Sequence, residues 1–170
     1  LLTGVGGTGV VTIGALLGMA AHLEGAGCSV LDMAGLAQKG GPVTSHIRLA
    51  KSPEDIKAVR IAAGGADLIL GCDIVVASGA DAMAKAERGS TVAVVNTQAS
   101  ITGDFTRNPD WQFPASEMEQ IIRDNLGADA SHFLPGTKVA EALMGDSIAT
   151  NPFMLGVAFQ MGLIPVSRAA

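Results

Sequence analysis

Apolar residues recur at helical spacing early in the chain: Val10, Ile13, Leu16, Leu17, Ala20 and Leu23 form one stripe that ends near Gly25-Ala26-Gly27. The pattern around this helix is that of short strands. Leu1-Leu2 precede a glycine-rich turn, and residues 28–31 read as a second strand closed by Asp32. In residues 43–49, Val43, Ile47 and Leu49 fall on one face and Thr44, His46 and Arg48 on the other, which predicts a half-exposed strand. Residues 66–71 and 91–95 are compact apolar runs of the kind buried on both faces. Asp73 is placed to cap a helical stretch through Ala77, Ala80 and Met83 to Arg88-Gly89. Helical periodicity returns over 117–126 and 137–144, and again after Asn151-Pro152, where proline suits a first turn.

Strands alternating with helices predict an α/β domain, a Rossmann-like three-layer sandwich with a mostly parallel sheet. One connection departs from that scheme. The segment 33–42, Met-Ala-Gly-Leu-Ala-Gln-Lys-Gly-Gly-Pro, is too short and too rich in glycine for a crossover helix. The strand after it is therefore expected to run antiparallel or to sit at an edge. Residues 103–114, around the only tryptophan, Trp111, read as a polar loop, lid or partner contact.

Composition narrows the function classes. The 170 residues suit one domain, 1–170, and a chain that opens on Leu1 is expected to be a piece of a longer one. Charged residues make up 16% against the usual ~25%, and mean hydropathy is +0.39. So apolar an exterior is expected to lie partly against other protein, as part of an oligomeric assembly. A net charge of −5 favours neither nucleic acid nor an anionic membrane, and no apolar run reaches the ~20 residues of a membrane span. Cys28 and Cys72 fall in apolar strand contexts, form no C-x-x-C, and fit buried thiols in a reducing cytoplasm.

The chemistry-bearing candidates are few. Gly4-Val5-Gly6-Gly7-Thr8-Gly9 matches G-x-G-x-x-G at Gly4, Gly6 and Gly9, between a strand and a helix. Such a turn either presents backbone N–H groups to an anion or lets helix and strand pack closely, and both readings stand. Asp32, 23 positions after Gly9, falls where a dinucleotide fold places its ribose-binding acid, and equally suits a turn cap. Gln38, Lys39, Gly40 and Gly41 couple a mobile cation to a pliable backbone. Asn96 ends a buried strand at the sheet edge where open α/β folds bind ligands. His46 reads as a hydrogen-bonded structural histidine. No catalytic triad, H-E-x-x-H, nucleophile elbow or Walker lysine is present, so no catalytic residue is assigned.

Four separated blocks give the chain a family likeness: G-V-G-G-T-G-V at 4–10, A-G-L-A-Q-K-G-G-P-V-T-S-H-I-R at 34–48, A-D-L-I-L-G-C-D at 66–73, and G-D-S-I-A-T-N-P-F-M-L-G at 145–156 with G-L-I-P at 162–165. Taken in order they resemble the gamma-type domain of 2-oxoacid:ferredoxin oxidoreductases, most nearly the indolepyruvate branch. The resemblance implies oxidative decarboxylation of an arylpyruvate to an acyl-CoA, with electrons passed to ferredoxin. It also implies that thiamine diphosphate and 4Fe-4S clusters are held by other domains or partner subunits, with coenzyme A as cosubstrate, and that this domain alone is inactive. The edge formed by Gly4, Gly6, Gly7, Thr8, Gly9, Gln38, Lys39, Gly40, Gly41 and Asn96 is expected to face the thiamine-bearing domains or the coenzyme A path. Two rivals remain open: a free-standing nucleotide-binding protein that uses Asp32, and an interaction domain without a ligand.

Overall fold

The computed structural model describes residues 1–35, 41–98 and 113–170. Six strands form one sheet: β1 (Leu2–Val5), β2 (Gly27–Ala34), β3 (Pro42–Ala50), β4 (Leu68–Gly71), β5 (Val92–Asn96) and β6 (Ser131–Leu134), in the order β2-β3-β1-β4-β5-β6. The pairs β1–β4, β4–β5 and β5–β6 are parallel, whereas β3 runs antiparallel to both of its neighbours. Six helices cover the sheet: α1 (Val10–Leu23), α2 (Ile74–Ala77), α3 (Ala80–Met83), α4 (Ala115–Leu126), α5 (Gly136–Met144) and α6 (Thr150–Gln160). Among the described residues no helix is long and apolar enough to cross a membrane.

Alternation along the strands divides the interior in two, because successive side chains of a strand point to opposite faces. Leu2, Leu70 and Val94 point to one side and bury Val10, Ile13 and Leu17 of α1 with Met154 and Ala158 of α6. Ile69, Ala93 and Val95 point to the other and bury Ile74, Ala77, Ala82 and Met83 with Ile122 and Leu126 of α4. The sheet between two helical layers is the predicted three-layer sandwich. Helix α1 lies close on the sheet because it carries glycine where it crosses β2: a Cβ on Gly14 would sit 3.3 Å from Val30 Cγ1, and one on Gly18 3.4 Å from Val30 Cγ2.

The short connection acts as its length requires. Residues 35–41 cannot span a crossover, so β2 and β3 form a hairpin in register from Ala34↔Val43 to Gly27↔Ala50. The antiparallel pairing thus occupies one edge of the sheet. The outermost strand is β2, while β3 lies one strand in, its face not half-exposed: Ser45 and His46 are both buried. Asp32 does not close β2. It sits mid-strand opposite Ser45, whose hydroxyl donates to its carboxylate, and the strand runs on to Ala34. The stretch predicted as one helix to Arg88-Gly89 is two short helices. Gly79 takes an extended conformation (φ −64, ψ 152) and breaks the ladder after Asp73 has capped α2 through Val76 N–H. Strand β6 carries too little alternation in Ser131-His132-Phe133-Leu134 to stand out, and is held by its pairing to β5.

His46 resolves as a structural residue. Its Nδ1 accepts from the Ile61 N–H at 3.0 Å. Burial first, then nearby positive charges including Arg60 and Lys85, hold the imidazole below its ordinary value near 6.5. The unfolded chain therefore binds this proton more readily than the folded one, and stability falls as pH drops below about 6.5 until the folded imidazole also titrates. Urea unfolding between pH 7 and 5 should show this loss. The slope should flatten in His46→Gln, and equal slopes in both proteins would assign the loss to other groups.

Gly4 is where the turn meets the core. A Cβ there would lie 2.5 Å from Val10 Cγ2 and 3.2 Å from Cys72 Cβ. Gly4→Ala should cost ~1–3 kcal/mol through overpacking. Adding Val10→Ala should recover part of that cost in thermal or urea melts. A Gly4→Ala melt like that of the wild type would show that the strand-to-helix packing has slack.

Candidate functional site

The carboxyl ends of β1, β4 and β5 open onto a cavity of about 740 Å³. Its wall comprises the glycine turn (Val5, Gly7, Thr8, Gly9), Thr12 of α1, Cys72-Asp73 after β4, Asn96 and Gln98 after β5, Thr137 of α5, and residues 146–152. This is the edge at which open α/β sheets place ligands, since loops leave the strands there and helices begin there.

The glycine turn is built from two left-handed residues, Gly7 and Gly9, each with φ 88. A side chain would be strained at either position, although a Cβ on Gly7 would meet nothing within 4 Å. Gly9 caps α1 without a side-chain acceptor, and no acid occupies the first turn, so the opening N–H groups of the helix face the cavity end uncapped. Thr8 folds back, its N–H and Oγ1 both donating to the Val5 carbonyl at 3.3 and 2.7 Å. The Gly6 N–H donates to the Gly41 carbonyl at 2.8 Å, which engages that donor and joins the turn to the start of β3. From the other side, Asn151 Nδ2 donates to the Thr8 carbonyl at 2.7 Å. The turn is thereby clamped between the hairpin and α6.

Asn96 is a junction. Its Nδ2 donates to the Cys72 carbonyl at 3.1 Å and to Thr137 Oγ1 at 3.0 Å, and its Oδ1 accepts from the N–H groups of Gln98 (3.2 Å) and Thr137 (3.3 Å). The side chain is buried and binds the ends of β4 and β5 to the start of α5. Gly136 permits this: a Cβ there would lie 2.5 Å from Met154 Sδ and 3.3 Å from Asn96 Oδ1.

Of the residues singled out in the sequence, the structure brings Gly4, Gly6, Gly7, Thr8, Gly9, Gly41 and Asn96 to this one end of the sheet. Gln38, Lys39 and Gly40 lie outside the described residues, as does Trp111. Asp32 is not part of the site. Through Ser45 it is level with Leu2, at the start of β1, and β3 separates it from that strand by two strand spacings, about 10 Å. The dinucleotide arrangement, with an acid beside the glycine turn, is not formed. Residues 146–152 line the cavity although periodicity marked only their helix, and the family block G-D-S-I-A-T-N-P was the available signal.

The wall exposes more apolar than polar surface, carries no cation among the described residues, and includes the carboxylates of Asp73 and Asp146. Asp146 Oδ1 accepts from Ile148 N–H at 2.9 Å and shapes the turn before α6. Cys72 is no nucleophile, because burial, with Asp73 beside it, pushes its thiol up to about 12. Among the described residues no group of three or more His, Cys, Asp or Glu is placed to hold a metal, and both cysteines are free. An iron–sulfur cluster does not fit these residues, and a diphosphate would meet carboxylates in the cavity wall.

Comparison with known proteins agrees with this architecture. The indolepyruvate oxidoreductase subunit IorB of Archaeoglobus fulgidus is 27% identical over 165 residues, covering 94% of this chain and 74% of its own. The subunits of the same name from Thermococcus kodakarensis and Methanothermobacter thermautotrophicus are each 27% identical, over 99% and 91% of this chain and 79% and 74% of their own. Among solved structures, the pyruvate oxidoreductase subunit PORC of Thermotoga maritima superposes with a TM-score of 0.62 at 16% identity, over 96% of this chain and 76% of that one, a likeness of fold. A model of the pyruvate ferredoxin/flavodoxin oxidoreductase family matches residues 1–170, and the chain belongs to that family.

Proposed function

We propose that this domain is the gamma-type part of an arylpyruvate:ferredoxin oxidoreductase, with indolepyruvate as the type substrate, and that its cavity edge serves the coenzyme A path of the assembled enzyme. In that reaction the 2-oxoacid loses its carboxylate as carbon dioxide. The acyl carbon is oxidised and passes to the coenzyme A thiol, and both electrons leave singly for ferredoxin. The observation that carries the reading is a built cavity, at the ligand-binding edge of the sheet, walled by groups that bind but do not react. The match to the indolepyruvate oxidoreductase subunit of Archaeoglobus fulgidus, over 94% of this chain and 74% of that subunit, supports the substrate class.

The residues here are suited to holding and orienting. Thr12, Thr137 and Ser147 offer hydroxyls, and the opening of α1 offers backbone donors. An uncharged, amide-bearing arm such as pantetheine fits that mostly apolar lining. Lys39, two positions before Gly41 in the sequence, is the cation assigned to the phosphates. Thiamine diphosphate and the 4Fe-4S clusters belong to other subunits or domains of the same enzyme, which makes the isolated domain inactive. Two free cysteines are in keeping with a cytoplasmic setting.

Steady-state kinetics of the complete enzyme test the assignment. Thr12→Phe adds bulk to the cavity wall while leaving the glycines of the turn in place, and should raise KM for coenzyme A by ~10-fold, about 1.4 kcal/mol, with KM for the 2-oxoacid unchanged. Lys39→Ala should act in the same direction through charge, and Gly6→Val by displacing the Gly41 contact. Unchanged coenzyme A kinetics in all three variants, with assembly intact, would remove the cavity from that path.

A further inference from the structure

The two helical layers differ in chemistry. In the layer of α2, α3 and α4, α4 is an ordinary amphipathic helix, with Glu117, Glu119, Arg123 and Asp124 turned outward from Ile122 and Leu126. Helices α1 and α6, which share the other layer, contain no Asp, Glu, Lys or Arg in their 14 and 11 residues. On α1 four large apolar side chains are exposed, Val11 46%, Leu16 51%, Met19 58% and Leu23 66%, with Thr12 near the start and His22 at the end of the helix as its exposed polar residues. Outward positions of α6 are Pro152, Gly156 and Gln160, with nothing near a Cβ on Gly156, so the surface beside α1 is flat and uncharged. Large apolar side chains grouped on an exposed helix face mark a contact surface.

We infer that the outer face of α1 and α6 is the docking surface for a different subunit or domain of the same enzyme, one that meets it with an uncharged apolar face and in doing so caps the cavity. The size of the face argues against a second copy of this chain. Helices of these lengths, each about 10 Å across, present roughly 400 Å² together, about half of the ~800 Å² per partner of a standard interface. The partner must reach further, and the apolar surface itself continues toward the cavity. Thr12 and Pro152 at the starts of the two helices line it, as does Ile148, which is 78% exposed at its rim. Beside that rim the end of α5 adds Leu143 and Met144, 71% and 51% exposed. A second copy would close this rim with another glycine turn and bring no reactive group. A chain that carries the reactive centre completes the site. This inference rests on the function proposed above, because it takes the cavity to need completion by another chain.

The test is assembly, read without substrate. In the co-expressed complete enzyme, Leu16→Glu with Met19→Lys places an opposite-charge pair at helical spacing, which keeps α1 folded while charging the face. Ile121→Glu on α4, at a position 44% exposed, is the control. Light scattering after size exclusion should show the double variant as a free, folded chain with wild-type circular dichroism, while the control stays in the complex. Hydrogen exchange of the wild type should show α1 and residues 147–152 protected together on assembly. Intact assembly in the double variant would overturn the inference, as would loss of self-association alone with the other subunits still bound. Because no turnover is measured, altered assembly with normal coenzyme A response in the Thr12→Phe enzyme would separate a failure of the function reading from a failure of this one.

Discussion

The connection between β2 and β3 governs the rest of the molecule. Residues 35–41 are too few to cross the sheet, so the chain can only turn back, and β3 enters the sheet antiparallel between β2 and β1. That step moves β2 to the edge and carries Asp32 two strands from β1. It also delivers Gly41 to the glycine turn, where its carbonyl takes the Gly6 N–H at 2.8 Å. A dinucleotide fold puts a helix in place of this hairpin and keeps the acid beside the phosphates. Here one short loop removes the ribose acid and engages one of the turn's own donors.

Around that constraint the cavity edge is held by polar contacts that tie elements far apart in sequence. Asn96 joins the ends of β4 and β5 to α5, and Asn151 joins α6 to the turn before α1. Buried amides bonded in this way fix geometry, since breaking one partner strands the other without water. The glycines serve the same end by allowing close approach. Gly4 lies against Val10 and Cys72, and Gly136 against Met154 and Asn96. The result is a rigid rim around a cavity whose contents must come from outside this chain.

The parts of the fold visible in the sequence are those with strong periodicity or unambiguous punctuation. Helix α1, the apolar runs of β4 and β5 and the capping Asp73 stand where the pattern puts them, but of the α1 stripe Leu16 and Leu23 turn outward while Gly14 and Ala21 are buried. The antiparallel strand followed from counting residues in one loop. What stayed hidden depends on tertiary pairing: β6 has little alternation of its own, and the break at Gly79 looks like a tolerated glycine inside a helix. Asp32 shows the limit of spacing as a guide. Its distance from Gly9 along the chain matches a ribose acid, but strand order, which spacing does not encode, decides where it lies. The cavity residues 146–152 were legible as a family block and not as chemistry, because their contribution is a turn shape and a single amide contact.

On the function proposed above, this domain shapes a reaction by setting where another subunit's substrate lies. The physical requirement is a stiff edge and a partner held in register, and the two features occur on the same side of this molecule. The helices that open at the cavity, α1 and α6, are also the ones stripped of charge along their outer surfaces. Charge on those surfaces would keep the free chain soluble, and its absence is what the proposed docking surface accounts for. On that proposal, whatever covers α1 also fixes the mouth of the cavity, so that assembly and site completion are one event, with the hairpin-clamped glycine turn as the fixed point from which both are measured.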